Sequence, residues 1–253
     1  MGAVLMFQKM SKRLSTLLLP VFLLTLPLAS NVSLADAKAD SGKELTTLYR
    51  AARKVISKNQ GLINEKRSGK KLTADYVIKT ALINYKDATG HKLDMGNDPM
   101  GGKKAMLDAV RSVMEEAQDL INDSDVGFKG FLPAIFARQV GTAFGKNTGG
   151  KITIKLTAPK KYVRNRSNRP DKWEKSIISG MFAKSDYAKG KPHFENTKVK
   201  GKAAFRYILP EYYSESCLSC HGTPKGSLDI TGGKKEGGVL GELGGAISLT
   251  IYK

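Results

Sequence analysis

The stretch "KITIKLT" (residues 151–157) marks the point where the periodicity of the chain changes. Ile152, Ile154 and Leu156 alternate with lysine and threonine, which is typical of a β-strand with one buried face. Before this stretch, from about residue 43 to 145, the apolar residues recur at helical spacing. After it, from about residue 150 to 253, strand patterns dominate. Helices followed by a mixture of strands and one helix predict the α+β class.

The N-terminal half contains four predicted helices. They cover residues 43–59, the region of 77–85 with Thr73 as N-cap, residues 103–122, and residues 130–144 with Pro133 near the start. We expect "GLIN" (61–64) to break the helical pattern, and residues 89–102 to form a loop because they are rich in glycine and have no periodicity. Met106 and Met114 lie at core spacing.

The C-terminal half contains the remaining strands. "WEKSIISGMFAKS" (173–185) returns to helical spacing. "HFENTKVKGKAAFRYILP" (193–210) predicts two strands that form a hairpin around Gly201. "GAISLTIYK" (245–253) predicts a closing strand.

The N-terminus has the pattern of a secretory signal. Basic residues, namely Lys9, Lys12 and Arg13, precede an uncharged apolar run from residue 14 to 30, and "SLADA" (33–37) then supplies small residues for cleavage near Ala35 or Ala37. We therefore expect residues 1–37 to be removed, and residues 38–253 to form a single exported domain in the periplasm with no stable membrane span. The alternative is that the segment is retained as an anchor.

The chain of 253 residues has ordinary globular composition, with 41% hydrophobic and 26% charged residues, but a formal net charge of +19. In a cytoplasmic protein this charge would suggest nucleic acid as a partner. An exported protein rarely meets nucleic acid, so an acidic protein or an anionic membrane surface is the better expectation. Because the lysines are spread along the chain, a solvated surface also explains the charge.

The segment "ESCLSCHGT" (215–223) contains the only two cysteines of the chain, Cys217 and Cys220, and His221 follows directly. A redox dithiol would explain the cysteine spacing but not the histidine. A structural zinc site needs four ligands, and His91 and His193 are the only other histidines available. Covalent haem c explains all three residues, because the two thiols form thioethers with the vinyl groups and the adjacent histidine ligates the iron. The motif therefore predicts one haem c with His221 as metal ligand, in agreement with the export signal.

The surrounding sequence resembles a known family. "FRYILPEYYSESCLSCHGTPKGSLDITGGKKEGGVLGELGGAISLTIY" (205–252) and "LTAPKKYVRNRSNRPDKWE" (156–174) resemble two blocks of a periplasmic haem c domain family with a PAS-like fold, formerly catalogued as a domain of unknown function. "GFKGFLPAIFARQV" (127–140) looks like the helical part of one branch. Members of this family occur alone or as the extracytoplasmic input of histidine kinases and chemotaxis receptors.

The resemblance implies a PAS-like haem-binding sheet with the N-terminal helical part packed on it. It also implies that Arg164 and Asn165 contact the haem edge or its propionates, which suits a guanidinium. The alternative is that residues 164–173 form a structural turn in which Trp173 fills core. Some members use a cysteine of an N-terminal helix as the second axial ligand, and this chain has no third cysteine. The distal candidates are water or a protein side chain, namely His193, His91, Met181, Met95 or Met100.

Three functions are compatible with such a haem. Redox or ligand sensing would use a change of ligation that alters the packing of nearby helices. Electron transfer would use the basic surface to dock an acidic redox partner. Peroxidase-like catalysis would need a distal acid–base residue, and none is evident, so we expect no enzyme. A non-haem dithiol protein is the remaining alternative. No output domain follows Lys253, so we expect any signal to reach a separate protein.

Overall fold

The computed structural model describes residues 34–69 and 72–253. The predicted signal segment lies outside these residues except for positions 34–37. Residues Ser33–Lys253 form one compact unit. In the described part of the chain, no helix combines the length and the apolar character that a membrane crossing requires.

The N-terminal half is helical. Its elements are α1 (Leu34–Lys58), α2 (Gln60–Asn64), α3 (Ala74–Thr89), α4 (Gly102–Glu116), α5 (Gln118–Asn122) and α6 (Pro133–Asn147). The four predicted helices are confirmed. Thr73 caps α3 by accepting a hydrogen bond from the Tyr76 amide, and Pro133 is the first residue of α6. Met106 and Met114 are buried in the core, as predicted.

Three helix boundaries differ from the prediction. The first helix begins at Leu34 rather than near residue 43. The segment "GLIN", which we expected to break the pattern, belongs to α2. Its residue Ile63 is fully buried in the core, and this burial stabilises the additional helical turn. The predicted helix 103–122 is interrupted at Ala117, and α4 and α5 are separate helices.

The C-terminal half forms one antiparallel sheet of four strands. These are β1 (Ile152–Thr157), β2 (His193–Val199), β3 (Lys202–Tyr212) and β4 (Leu243–Tyr252), in the order β1-β4-β3-β2. The predicted hairpin between β2 and β3 is confirmed, and Lys200 and Gly201 turn the chain with φ values of 51° and 81°. The α+β prediction is therefore confirmed, and the architecture is consistent with a PAS-like fold.

Two shorter α-helices and several helical turns connect the strands. α7 (Lys172–Ile177) continues into a π-helical turn, Ile178–Phe182, between β1 and β2. α8 (Glu215–His221) contains both cysteines and lies between β3 and β4. Short 3₁₀ turns occur at Lys160–Tyr162 and Arg166–Asn168.

The sheet separates two apolar clusters of very different size. The larger one lies between the helical half and one face of the sheet, which supplies alternate residues of β3 and β4, namely Phe205, Tyr207, Leu209, Ile247, Leu249 and Ile251. The smaller one lies between the opposite face and α7 with its π-helical turn. Close contact between a helix and the sheet requires glycine in α1 and in α6: a Cβ on Gly42 would lie 2.7 Å from the Tyr207 ring, and one on Gly141 would lie 2.6 Å from the Ile154 carbonyl oxygen.

A buried ion network attaches α7 to the sheet. The Glu174 carboxylate is fully buried and accepts hydrogen bonds or ion pairs from Arg206 at 3.1 Å and Lys155 at 2.9 Å. Arg206 also pairs with Asp171 at 2.8 Å, and its guanidinium lies 4.1 Å from the centre of the Trp173 ring. Asp171 and Glu174 form a capping box at the start of α7. Asp171, Trp173 and Glu174 of the segment "RPDKWE" (169–174) therefore have a structural role.

The loop between α3 and α4 is organised by a lysine. The Lys103 side chain is almost completely buried, and its Nζ donates to Glu44 Oε1 at 2.9 Å, to the Asp94 carbonyl at 2.8 Å and to the Asn97 carbonyl at 2.7 Å. Lys129 binds the carbonyls of Asp123 and Val126 in the same way. In the α3–α4 loop and in the loop between α5 and α6, a lysine ammonium group therefore donates to carbonyl oxygens that point inward.

We expect Glu174→Ala to lower the free energy of unfolding by about 3–5 kcal/mol, because removal of one partner leaves buried Arg206 insufficiently paired. The control is Asp108→Ala, which breaks the exposed Lys104–Asp108 pair and should cost less than about 1 kcal/mol. Urea unfolding measures both values. Equal losses for the two variants would show that the Glu174 network does not hold α7.

Candidate functional site

A large cavity lies where β1 and β3 end and β4 begins. Its volume is about 960 Å³, which is near the upper end of ordinary ligand pockets. The walls come from α1, α2, the start of α6, the segment 156–168 and α8. All five residues that the sequence singled out line this cavity, namely Arg164, Asn165, Cys217, Cys220 and His221. Residues distant in sequence are thus brought to one site.

The two cysteines lie on α8 as free thiols. They are three residues apart in a helix, so they lie on the same face and both reach the cavity. The Sγ atom of Cys217 is 3.3 Å from the Ser214 hydroxyl oxygen. Both cysteine residues are partly exposed, and both belong to the cavity lining.

His221 ends α8, and its imidazole ring is fixed on one side. Nδ1 lies 2.8 Å from Glu236 Oε2. The ring stacks on Tyr213 with a centroid distance of 5.3 Å and an interplanar angle of 16°. When Nδ1–H donates to the carboxylate, the lone pair of the neutral ring is on Nε2. Nε2 is therefore the atom through which His221 could ligate a metal.

Arg164 connects α8 with the loop that follows it. Its Nε donates to Glu236 Oε1 at 2.6 Å, and its Nη2 donates to Glu236 Oε2 at 3.0 Å and to the Cys220 carbonyl at 2.7 Å. Nη1 donates to Asp229, whose side chain is fully buried. The resemblance implied that Arg164 contacts the haem edge or its propionates, whereas the contacts in the structure engage its guanidinium with groups of the protein itself.

The same contacts determine the charges of the site. Burial raises the pKa of Glu236, but the hydrogen bonds from Arg164 and His221 outweigh it and hold the pKa below its usual range. Burial likewise raises the pKa of Asp229, and hydrogen bonds from Thr231 and Arg164 lower it well below its ordinary value. The hydrogen bond to Glu236 raises the pKa of Arg164. At neutral pH the site therefore contains two carboxylates around one guanidinium.

Asn165 shapes the wall beside Arg164. Its Oδ1 accepts hydrogen bonds from the Ser167 amide at 2.9 Å and the Ser167 hydroxyl at 2.8 Å, which caps the 3₁₀ turn Arg166–Asn168. The side chain thus has a local structural partner while the residue lines the cavity.

Tyr213 was not predicted from the sequence. Its ring is held between two glycines, because a Cβ on Gly238 would lie 2.5 Å from it and a Cβ on Gly244 would lie 2.4 Å from it. Burial raises the pKa of Tyr213. The sequence signal for the Tyr213 site was the glycine-rich stretch that leads into β4, because glycines leave room for a bulky side chain.

The cavity wall fits a large ligand with acceptor groups. Three of its residues carry a buried polar atom that lacks a hydrogen-bond partner among the described residues, namely Arg53 Nε, Thr157 Oγ1 and Tyr213 Oη. Each can donate, so acceptors on a bound molecule would satisfy them. Within residues 34–69 and 72–253, no group of three or more His, Cys, Asp and Glu side chains could hold a metal ion.

The residues that we considered as distal ligands lie elsewhere. His193 is 6.0 Å from Trp173 between ring centroids, and His91 is 6.0 Å from Tyr85. Met181 packs against the smaller apolar cluster, Met100 packs against the larger one, and Met95 is exposed. None of the five is among the described residues that line the cavity.

We expect Gly244→Ala to lower the free energy of unfolding by about 1–3 kcal/mol, since the added methyl group would overlap the Tyr213 ring. The matched control is Gly145→Ala in α6, where a Cβ would meet nothing within 4 Å. This change should stabilise by about 0.4–1 kcal/mol. Thermal and urea unfolding compare the two, and a neutral Gly244→Ala would show that the Tyr213 ring is loosely packed.

Comparison with protein families places the chain beside known sequences. A family model described as Tll0287-like (Tll0287) matches residues 34–251, which include both halves of the fold and every residue of the site. No curated protein and no solved structure shows significant similarity to the chain. On the strength of the family match, the chain belongs to the Tll0287-like family.

Proposed function

We propose that the chain is an exported monohaem c-type protein that carries haem at Cys217, Cys220 and His221. The observation that supports this most strongly is the shared position of the three side chains. Both free thiols and the imidazole line one cavity of about 960 Å³, and the His221 ring is anchored through Nδ1 so that Nε2 remains available. Periplasmic location rests on the signal sequence, which lies outside the described residues.

Each residue of the motif has a chemical role in this proposal. The Cys217 and Cys220 thiols would each add their S–H across one vinyl group to form a thioether. His221 Nε2 would donate its lone pair to the iron. Haem, when bound, supplies one-electron chemistry and a coordination position for small ligands. Arg53, Thr157 and Tyr213 would donate hydrogen bonds to its polar groups.

The cavity favours a sensor of redox state or of a small ligand. Among the described lining residues, His221 is the only histidine, and methionine and lysine are absent. A protein without a strong second axial ligand leaves the iron open to water or to an added molecule. The cavity is also bounded by α1 and α6, which pack in the larger apolar cluster, so a change of ligation could alter helix packing.

Electron transfer is the second candidate, and the net charge of +19 favours it. A basic protein attracts an acidic redox partner and accelerates their encounter. An acidic signalling protein would be attracted in the same way. The two roles differ in the second axial ligand, which a carrier needs to hold in both oxidation states.

We expect the protein matured in a host with c-type haem attachment to retain haem after denaturation, with a pyridine haemochrome spectrum of two thioether bonds. Cys217→Ser and Cys220→Ser should each move this spectrum toward that of one thioether, and the double variant should release the haem. Ser219→Ala, between the cysteines on α8, is the matched control and should leave attachment unchanged. Absence of covalent haem in the unsubstituted protein would refute the proposal and favour a dithiol protein.

The same haem-containing protein is used to distinguish sensing from electron transfer. We expect carbon monoxide to change the absorption spectrum of the ferrous protein within seconds, because the described lining residues include no histidine besides His221, no methionine and no lysine. An unchanged spectrum would show two firm protein ligands, and electron transfer would then replace sensing as the preferred function.

A further inference from the structure

We propose that Glu236 is a positioning residue for His221, and that this carboxylate, held by Arg164, lowers the reduction potential of iron bound at Nε2. This inference rests on the proposed haem site. It concerns a residue fifteen positions beyond the motif, and it gives Arg164 a role through Glu236 rather than in direct contact with the cofactor.

Glu236 is fixed by hydrogen bonds to both of its oxygens. Oε1 accepts from Arg164 Nε at 2.6 Å, while Oε2 accepts from Arg164 Nη2 at 3.0 Å and lies 2.8 Å from His221 Nδ1. The Glu236 side chain is only 13% exposed. A carboxylate with this burial is weakly screened by water, so its charge acts strongly on the imidazole.

The backbone holds Glu236 at the same place. The Gly238 amide donates to the His221 carbonyl at 2.7 Å, and the Gly237 amide donates to the Gly222 carbonyl at 3.1 Å. Residues 236–238 therefore run along the end of α8. The Glu236–His221 contact is thus part of the packing of two chain segments and does not depend on the side chains alone.

A carboxylate acceptor at Nδ1 makes a metal-bound imidazole more basic and fixes the orientation of its ring. The more basic ligand stabilises ferric over ferrous iron, as does the negative charge itself. Arg164 offsets part of that charge, but it also keeps the carboxylate ionised and in place. Removal of the carboxylate should therefore favour the ferrous state.

The test is a spectroelectrochemical titration of the haem-containing full chain at one fixed pH. We expect Glu236→Gln to increase the ferrous preference at least tenfold, which corresponds to a rise of about 59 mV for a one-electron couple. Glu236→Asp keeps the charge but shortens the side chain, and it should raise the potential in the same direction by loss of the hydrogen bond.

Glu242→Gln is the matched control. Glu242 lies in the same loop and instead binds the Tyr162 hydroxyl and the Val239 amide. Its neutralisation removes the same charge and should change the ferrous preference less than about threefold, in keeping with a screened charge that does not touch the ligand. Haem content and thermal stability are measured for every variant.

Equal shifts in Glu236→Gln and Glu242→Gln would overturn the proposal, since Glu236 would then act as a distant charge. So would an unchanged potential in Glu236→Gln. If both Glu236 variants fail to retain haem while Glu242→Gln retains it, Glu236 serves folding or maturation, and the proposal is likewise wrong. Absence of covalent haem in the unsubstituted protein is a separate result that refutes the proposed function itself.

Discussion

The site depends on one guanidinium group that holds together two carboxylates and the end of a helix. The segment between α8 and β4 is long and rich in glycine, and it contains no helix or strand of its own. Backbone hydrogen bonds such as those of the Gly237 and Gly238 amides fix parts of it, and a side chain adds further contacts. Arg164 binds Glu236, Asp229 and the Cys220 carbonyl from a different part of the chain. Without this cation, the two carboxylates would lose the positive charge that they share, which is costly for groups with little exposure to water. Arg164 thereby contributes, through Glu236, to the position of His221 and to any chemistry at Nε2.

Local patterns were sufficient for most of the fold. Ile152, Ile154 and Leu156 show a period of two, and the helical half shows its own period, because in each case one face is buried. Gly201 identified the hairpin, since the turn there needs a positive φ. The cysteines and His221 could also be found, because these three residues lie close together in the sequence. Each of these features is encoded by residues that lie close together in the sequence.

The rest of the site could not be predicted, because it arises from pairs distant in sequence. Arg164 and Glu236 are separated by 72 residues, and Arg53 and Glu211 by 158. Neither carboxylate differs in local sequence from an ordinary surface residue. The expectation for Arg164 rested on a motif, and a motif does not state which acceptor a guanidinium will meet. The candidates for the second axial ligand were chosen by residue type alone, and none of them is among the described residues that line the cavity. The helix at "GLIN" was missed because burial of Ile63 is a tertiary effect.

Buried Lys103 determines which cation the oxygen atoms around the α3–α4 loop bind. The α3–α4 loop directs the carbonyls of Asp94 and Asn97 toward one point, together with the carboxylate of Glu44. Oxygen atoms in such an arrangement commonly surround a divalent cation. Here the positive charge is covalently tethered to the chain, so it cannot dissociate or be removed by a chelator. The oxygens of this loop are therefore satisfied without a bound calcium or magnesium ion.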